Sequence, residues 1–270
     1  MGRERLAAKL NHIRKGKGKA LVSYLLAGYP DKETSLLAFR KVLEGGTDIL
    51  EVGFPFSDPV ADGQAIQEAH YVALKNGTKS KDVFETTSKL REDFRDIPFL
   101  LMTYYNPMFR MGLERFCKLS KESGIDGFIV PDLPAEEARE LKVYTEKYDL
   151  ALVMLASPTS NEKRLNLICR TTDCMTYFIS ITGTTGARDS LPIGRLRKNV
   201  EKYKKNCEKP VVVGFGISTG EQASQIAEFS DGIVVGSALV GLAKEGKLEK
   251  LLSKVAELKS SLKSCKNLDK

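Results

Sequence analysis

Two histidines, His12 and His70, are all that the 270 residues contain. That scarcity argues against a histidine-rich metal site or a Ser-His-Asp triad, and no metal site is expected. Cysteine is sparse as well. Cys117, Cys169, Cys174, Cys207 and Cys265 are odd in number, scattered, and form no C-x-x-C pair. They read as reduced thiols of a cytosolic (cytoplasmic) protein. No apolar run approaches the roughly 18 residues that span a bilayer. The N-terminus MGRERLAAKL has no apolar h-region, so no secretory signal is evident. Low-complexity linkers are missing too, and the length suits a single barrel domain over residues 1–270. A core of that size needs no disulfide or structural metal.

Excess charge is confined to the ends. The formal charge is +7, but residues 1–20 and 241–270 together carry +10, which leaves −3 for residues 21–240. Solvated terminal helices explain this better than a nucleic-acid surface, because no aromatic-laced basic motif accompanies it.

What is present is a repeat of apolar, β-branched runs. They fall at 19–28, 47–53, 97–105, 125–132, 150–156, 174–183, 209–216 and 230–238. Near-continuous hydrophobicity marks parallel strands buried on both faces. The segments between them carry helical spacing. SLLAFRKVLEGG (35–46) places Leu36, Leu37, Phe39, Val42 and Leu43 on one side and stops on Gly45-Gly46. AEEARELKVYTEKY (135–148) opens on acids, and KLEKLLSKVAELKSSLK (247–263) forms an amphipathic closing helix. Eight β-then-α units predict an α/β fold, a (β/α)8 TIM barrel, with an extra helix at 2–14 capping the barrel floor. An open doubly wound sheet is the competing architecture.

Barrel chemistry sits at the C-terminal ends of the strands. The second run continues as EVGFPFSDPVADG (51–63). Alternation puts Ile49, Glu51 and Gly53 on one face and Leu50 and Val52 on the other. Glu51 therefore points into the barrel mouth, where desolvation raises a carboxyl toward the range useful for proton transfer. The competing reading is a structural glutamate paired with a buried cation, and no strand run offers one. Asp58 and Asp62 lie on a loop braced by Pro55 and Pro59; taken alone, turn chemistry accounts for both. VVVGFGISTG (211–220) and GIVVGSALV (232–240) end strands on glycines before helices, a pattern that suits phosphate at the seventh and eighth strands. Tight turns without a ligand are the bland alternative. The Gly/Thr/Ser-rich stretch within 176–194 reads as a lid.

LEVGFPFSDPVADG, PDLP (131–134), TGTTGAR (182–188), VGFGIS (213–218) and VGSA (235–238), in this order, closely resemble the tryptophan synthase alpha chain family. The resemblance runs from LLAGYPD (25–31) to the last helix. It implies a carbon–carbon lyase of tryptophan biosynthesis that cleaves indole-3-glycerol phosphate to indole and glyceraldehyde 3-phosphate. Glu51 matches the family's acid/base glutamate and Asp62 the aspartate that meets the indole N–H. Tyr104 and Tyr177 match aromatic positions beside the substrate, and Thr185 the lid threonine. Gly186, Gly216, Gly236 and Ser237 match the phosphate cradle, with Phe215 beside it. Pro55, Phe56, Asp58 and Asn106 fall where the family meets its beta chain, in an α2β2 tetramer. That partner carries pyridoxal phosphate, and no cofactor is implied for this chain. An alpha-like activator of a beta chain, a stand-alone lyase, and another phosphate-binding barrel enzyme remain the alternatives.

Overall fold

The computed structural model describes residues 2–179, 193–214 and 216–264. Eight parallel strands close into a barrel in sequence order, each paired with the next and β8 with β1. They are β1 (Ala20–Leu26), β2 (Ile49–Gly53), β3 (Phe99–Met102), β4 (Gly127–Ile129), β5 (Ala151–Ala156), β6 (Thr176–Ile179), β7 (Val211–Gly214) and β8 (Gly232–Val235). Each falls inside one of the eight apolar runs, so the closed barrel stands and the open sheet does not.

The helices among the described residues are α1 (Gly2–Lys15), α2 (Lys32–Glu44), α3 (Gln64–Lys75), α4 (Ser80–Asp93), α5 (Tyr105–Met111), α6 (Leu113–Glu122), α7 (Arg139–Lys147), α8 (Glu162–Thr171), α9 (Ile193–Asn206), α10 (Gly220–Ala227), α11 (Ser237–Lys244) and α12 (Leu248–Ser264). None is long and apolar enough to cross a membrane. α2 starts three residues earlier than its apolar spacing suggests, because Asp31 caps it by accepting the Thr34 N–H. Its buried stripe is Ser35, Ala38, Phe39, Val42 and Leu43; Leu37, expected on that side, is exposed. α7 starts later than expected. Glu137 N–H bonds to Pro134 O, an i→i+3 turn, so the acids at 136 and 137 precede the helix.

Alternation along the strands divides the core in two. Val22, Ile49, Leu100, Ile129, Val153, Val212 and Val234 fill the barrel interior, closed below by Leu6 and Leu10 of α1. Leu21, Leu50, Val52, Phe99, Leu101, Phe128 and Val213 pack outward under the helices. The expected floor helix is therefore present, with an apolar stripe plugging the N-terminal end of the barrel.

The floor carries a repeated polar device. An aspartate lies just ahead of every even strand: Asp48, Asp126, Asp173 and Asp231. Each carboxylate accepts a backbone N–H of the preceding odd strand, from Leu21 (2.8 Å), Phe99 (2.8 Å), Leu152 (2.7 Å) and Val211 (2.9 Å). Each aspartate's own N–H donates back to the carbonyl of the same residue. Each carboxylate also has a cation: Lys259, Arg91, Lys142 and Lys204 respectively. Asp126 is the most enclosed; Arg91 meets it at 2.8 Å and lies over the Phe99 ring at 3.8 Å.

One expectation fails. Cys169 and Cys207 form a disulfide across 38 residues of sequence, so the cysteines are not all reduced thiols. α8 and the residue after α9 bring the two Cα atoms to 5.8 Å, a proximity that linear spacing hides. Cys117 and Cys174 are free.

Candidate active site

β2 delivers Glu51 as strand parity predicts. Its Cα partners are Tyr24 on β1 and Leu100 on β3, and Leu100 lines the barrel interior. The side chain is buried, and neither carboxyl oxygen has a hydrogen-bond partner among the described residues. The cation that a structural glutamate would need is not among its described neighbours. Burial first, and then the charge of Asp62, push its carboxyl up to about 8. At neutral pH Glu51 is thus a protonated acid facing the mouth of the barrel.

Asp62 closes the loop that follows β2. Its side chain is buried, and Oδ2 accepts the Tyr104 hydroxyl at 2.8 Å. The same phenol oxygen accepts the Ala61 N–H at 3.0 Å, so Tyr104 clamps the loop at two successive residues. Burial, and then the Asp62 charge, hold the Tyr104 phenol protonated as a donor. Asp62 N–H itself bonds to Pro59 O at 3.1 Å, a turn that the proline braces. The two carboxyl groups therefore occupy unlike environments. Glu51 is neutral and without a partner among the described residues, whereas Asp62 is held by a donor.

Two phenols border Glu51. Tyr177 on β6 and Tyr24 on β1 are both pushed well above ordinary tyrosine behaviour, by burial first and then by charges that include Glu51 and Asp62. Glycines make room for them. A Cβ on Gly214 would sit 2.5 Å from the Tyr177 hydroxyl oxygen, and one on Gly53 would sit 2.4 Å from that of Tyr24. Tyr24 was not singled out from sequence. The signal was there, since alternation puts it on the Val22 face and register sets it beside Glu51. Its hydroxyl is buried without a hydrogen-bond partner among the described residues.

At the other side of the mouth, Gly216 has a left-handed φ of +54°, which suits glycine. Gly236 heads α11, whose first turn has no side-chain cap, and Ser237 is its first residue. Those first-turn N–H groups are the part of the helix suited to an anion. Thr185, Gly186 and Phe215 lie outside the described residues.

On the same loop, Pro55 is buried and Phe56 half-buried, with the Phe56 ring stacked on Tyr104 at 5.1 Å. Asp58 is exposed, and so is Asn106 on α5. The surface around them is apolar: Val60 is 71% exposed, Tyr71 65% and Phe109 62%. A second missed residue, His70, lies buried on α3 behind the loop. It accepts the Phe56 N–H on Nδ1 at 3.0 Å, while Nε2 lies 3.4 Å from Asp62 Oδ2. A histidine eight residues past Asp62 carried no signal until the helix folded back.

Comparison with known proteins gives this geometry a context. A family model described as tryptophan synthase alpha chain matches residues 10–269. The chain is 61% identical to the tryptophan synthase alpha chain of Aquifex aeolicus (strain VF5), over 96% of this chain and 99% of that one. It is similar to a solved structure from Aquifex aeolicus VF5, with a TM-score of 0.90 and 59% identity over 97% of this chain and 99% of that one. A structure of Mycobacterium tuberculosis tryptophan synthase superposes with a TM-score of 0.89 at 34% identity, covering 96% and 98%.

Proposed function

Since the chain belongs to the tryptophan synthase alpha chain family, and so to the lyases that cleave indole-3-glycerol phosphate in tryptophan biosynthesis, we propose that Glu51 and Asp62 divide that cleavage between them. The observation that carries this reading is the contrast between the two carboxyl groups. Glu51 holds a proton at neutral pH and has no hydrogen-bond partner among the described residues; Asp62 is anchored by Tyr104.

The reaction is a retro-aldol. Glu51 gives its proton to indole C3, which makes the ring nitrogen positive. Asp62 accepts the N–H and stabilises that charge as it develops. Glu51, now a carboxylate, takes the proton of the glycerol hydroxyl next to C3. The C–C bond breaks, its electron pair returns to the ring to restore indole, and the hydroxyl carbon leaves as the aldehyde of glyceraldehyde 3-phosphate. Glu51 ends protonated, as it began. A single group that donates and then accepts needs a proton affinity near the working pH, which burial provides here. Tyr177 and Tyr104 flank the indole. Gly216, Gly236, Ser237 and the α11 N-terminus receive the phosphate, together with Gly186 and Phe215, and Thr185 meets Asp62 on closure.

The family acts with a beta chain. The exposed apolar rim around Asp58 and Asn106, with Phe56 beneath it and Pro55 at its base, is the surface we assign to that partner, in an α2β2 assembly. Side chains alone carry the acid–base work in this chain, and pyridoxal phosphate belongs to the beta partner. Release of indole from indole-3-glycerol phosphate, followed at steady state, tests the reading. Glu51→Gln should abolish turnover while the fold survives, and substantial residual turnover would remove Glu51 from the proton-transfer role. Asp62→Asn should lose about 10²-fold or more in kcat; a change confined to KM would contradict its assignment.

A further inference from the structure

His70 is buried between the loop that bears Asp62 and the body of α3, and neither nitrogen faces solvent. Nδ1 accepts the Phe56 N–H at 3.0 Å, so it carries no proton. The ring proton therefore resides on Nε2. That nitrogen lies 3.4 Å from Asp62 Oδ2, within reach but misaligned for a hydrogen bond, and has no other partner among the described residues. Oδ2 already accepts the Tyr104 hydroxyl at 2.8 Å. The Phe56 ring stacks on Tyr104 and its N–H holds His70. Phe56, His70, Asp62 and Tyr104 thus close a ring of contacts, and both donors in it converge on the same carboxylate oxygen.

We propose that His70 is a positioning residue for Asp62: its Nε2–H secures Oδ2 alongside Tyr104, leaving Oδ1 to accept the N–H of the indole ring. This rests on the reading of Asp62 as the acceptor of that N–H. A carboxylate pinned at one oxygen by two donors has lost its rotation, so the other oxygen is set before substrate arrives. At 3.4 Å the contact needs a small reorientation of the ring or the carboxylate rather than a long approach, the kind of adjustment by which catalytic hydrogen bonds tighten when substrate binds. The backbone of Phe56 fixes which nitrogen faces Asp62. A buried N–H without a partner is costly, so the ring gains from completing that contact.

The test separates the two nitrogens. Asparagine reaches about as far as Nδ1 and keeps an acceptor for Phe56, but presents nothing to Asp62. Glutamine reaches about as far as Nε2 and keeps the donor to Asp62. His70→Asn, His70→Gln and Asp62→Asn, and the double variant His70→Asn with Asp62→Asn, are assayed on the full chain with indole-3-glycerol phosphate. His70→Asn should lower kcat about tenfold with KM within about twofold, the size expected for one donor to a charged acceptor. His70→Gln should restore kcat to within about threefold of the parent. In the Asp62→Asn background, His70→Asn should cost almost nothing further. Equal losses for asparagine and glutamine, or an undiminished loss in the Asp62→Asn background, would overturn the proposal. Unchanged kcat in Asp62→Asn alone would instead overturn the role given to Asp62. Melting curves of each variant show whether a loss is one of folding, which would track thermal stability and raise no kcat difference per folded molecule.

Discussion

Replacing Glu51 by glutamine should strengthen the fold while it removes the activity. The native state keeps this carboxyl protonated up to about pH 8, against an ordinary value of 4.5. The unfolded chain ionises near the lower value. The stability that the neutral acid lends is therefore whole below about pH 4.5 and is lost as pH rises to about 8. Between those limits the native state holds one more proton than the unfolded chain, so stability falls by about 1.4 kcal/mol per pH unit. Across the interval the loss reaches about 5 kcal/mol. Glutamine matches the protonated acid in shape and cannot ionise, so it escapes that loss. Urea titrations of both proteins at pH 5 and pH 8.5 supply the comparison. The variant should be within about 1 kcal/mol of the parent at pH 5 and more stable by about 5 kcal/mol at pH 8.5. The same difference at both pH values would refute the reasoning, for it would mean that Glu51 is ionised or partnered in the native state. Such an outcome would also deprive the cleavage of its proton donor. A site that destabilises its own fold in order to hold a poised acid is the expected exchange between stability and activity.

Turnover should follow the same group. Because Glu51 must begin the cycle protonated, kcat/KM, which reports groups of the free enzyme, should decline as pH rises through about 8, and the limb should vanish from any residual rate of Glu51→Gln. The chain has no tryptophan, so indole fluorescence reads against tyrosine alone. Breaking the Cys169–Cys207 disulfide, by reduction or by serine at both positions, should cost about 4 kcal/mol on the loop-closure account for 38 residues, measured by urea titration. Asp126→Ala should cost about 3–5 kcal/mol by leaving the mostly buried Arg91 with backbone carbonyls but without its carboxylate. Its kcat per folded molecule should stay at the parent value, since Asp126 lies on the floor and the chemistry at the mouth.

Strands and strand parity were legible because parallel strands buried on both sides write their boundaries as unbroken apolar runs. That is why the eight elements and the direction of Glu51 could be read before any pairing was known. Contacts between loops were not. Tyr104 meets Asp62 across 42 residues, and nothing in either segment marks the other. His70 looked like one of two incidental histidines, because only the fold-back of α3 sets it behind the loop. The disulfide stayed hidden for a similar reason: Cys169 lies on α8 and Cys207 just past the end of α9, and the adjacency of those two segments is a property of the barrel. The floor aspartates were a signal passed over. Asp48, Asp126 and Asp231 are each the second residue of an even-numbered apolar run and Asp173 stands just before one, a repeat visible in the sequence to anyone counting strands in pairs.

That pairing gives the barrel a grain. Each aspartate joins an odd strand to the even strand after it, so the polar locks fall within β1–β2, β3–β4, β5–β6 and β7–β8 and skip the joints between. The assembly is four two-stranded modules rather than eight equal staves. A chain divided between β4 and β5 would leave each aspartate's strand-to-strand bond intact within a half, with the Asp48–Lys259 pair crossing between halves, whereas division between β3 and β4 would sever one of those bonds. The middle joint has its own fastening: Arg5 of α1 grips Asp126 in the second module, and Arg3 approaches Asp173 in the third. The N-terminal helix is thus the clasp of two half-barrels as well as the plug of one whole.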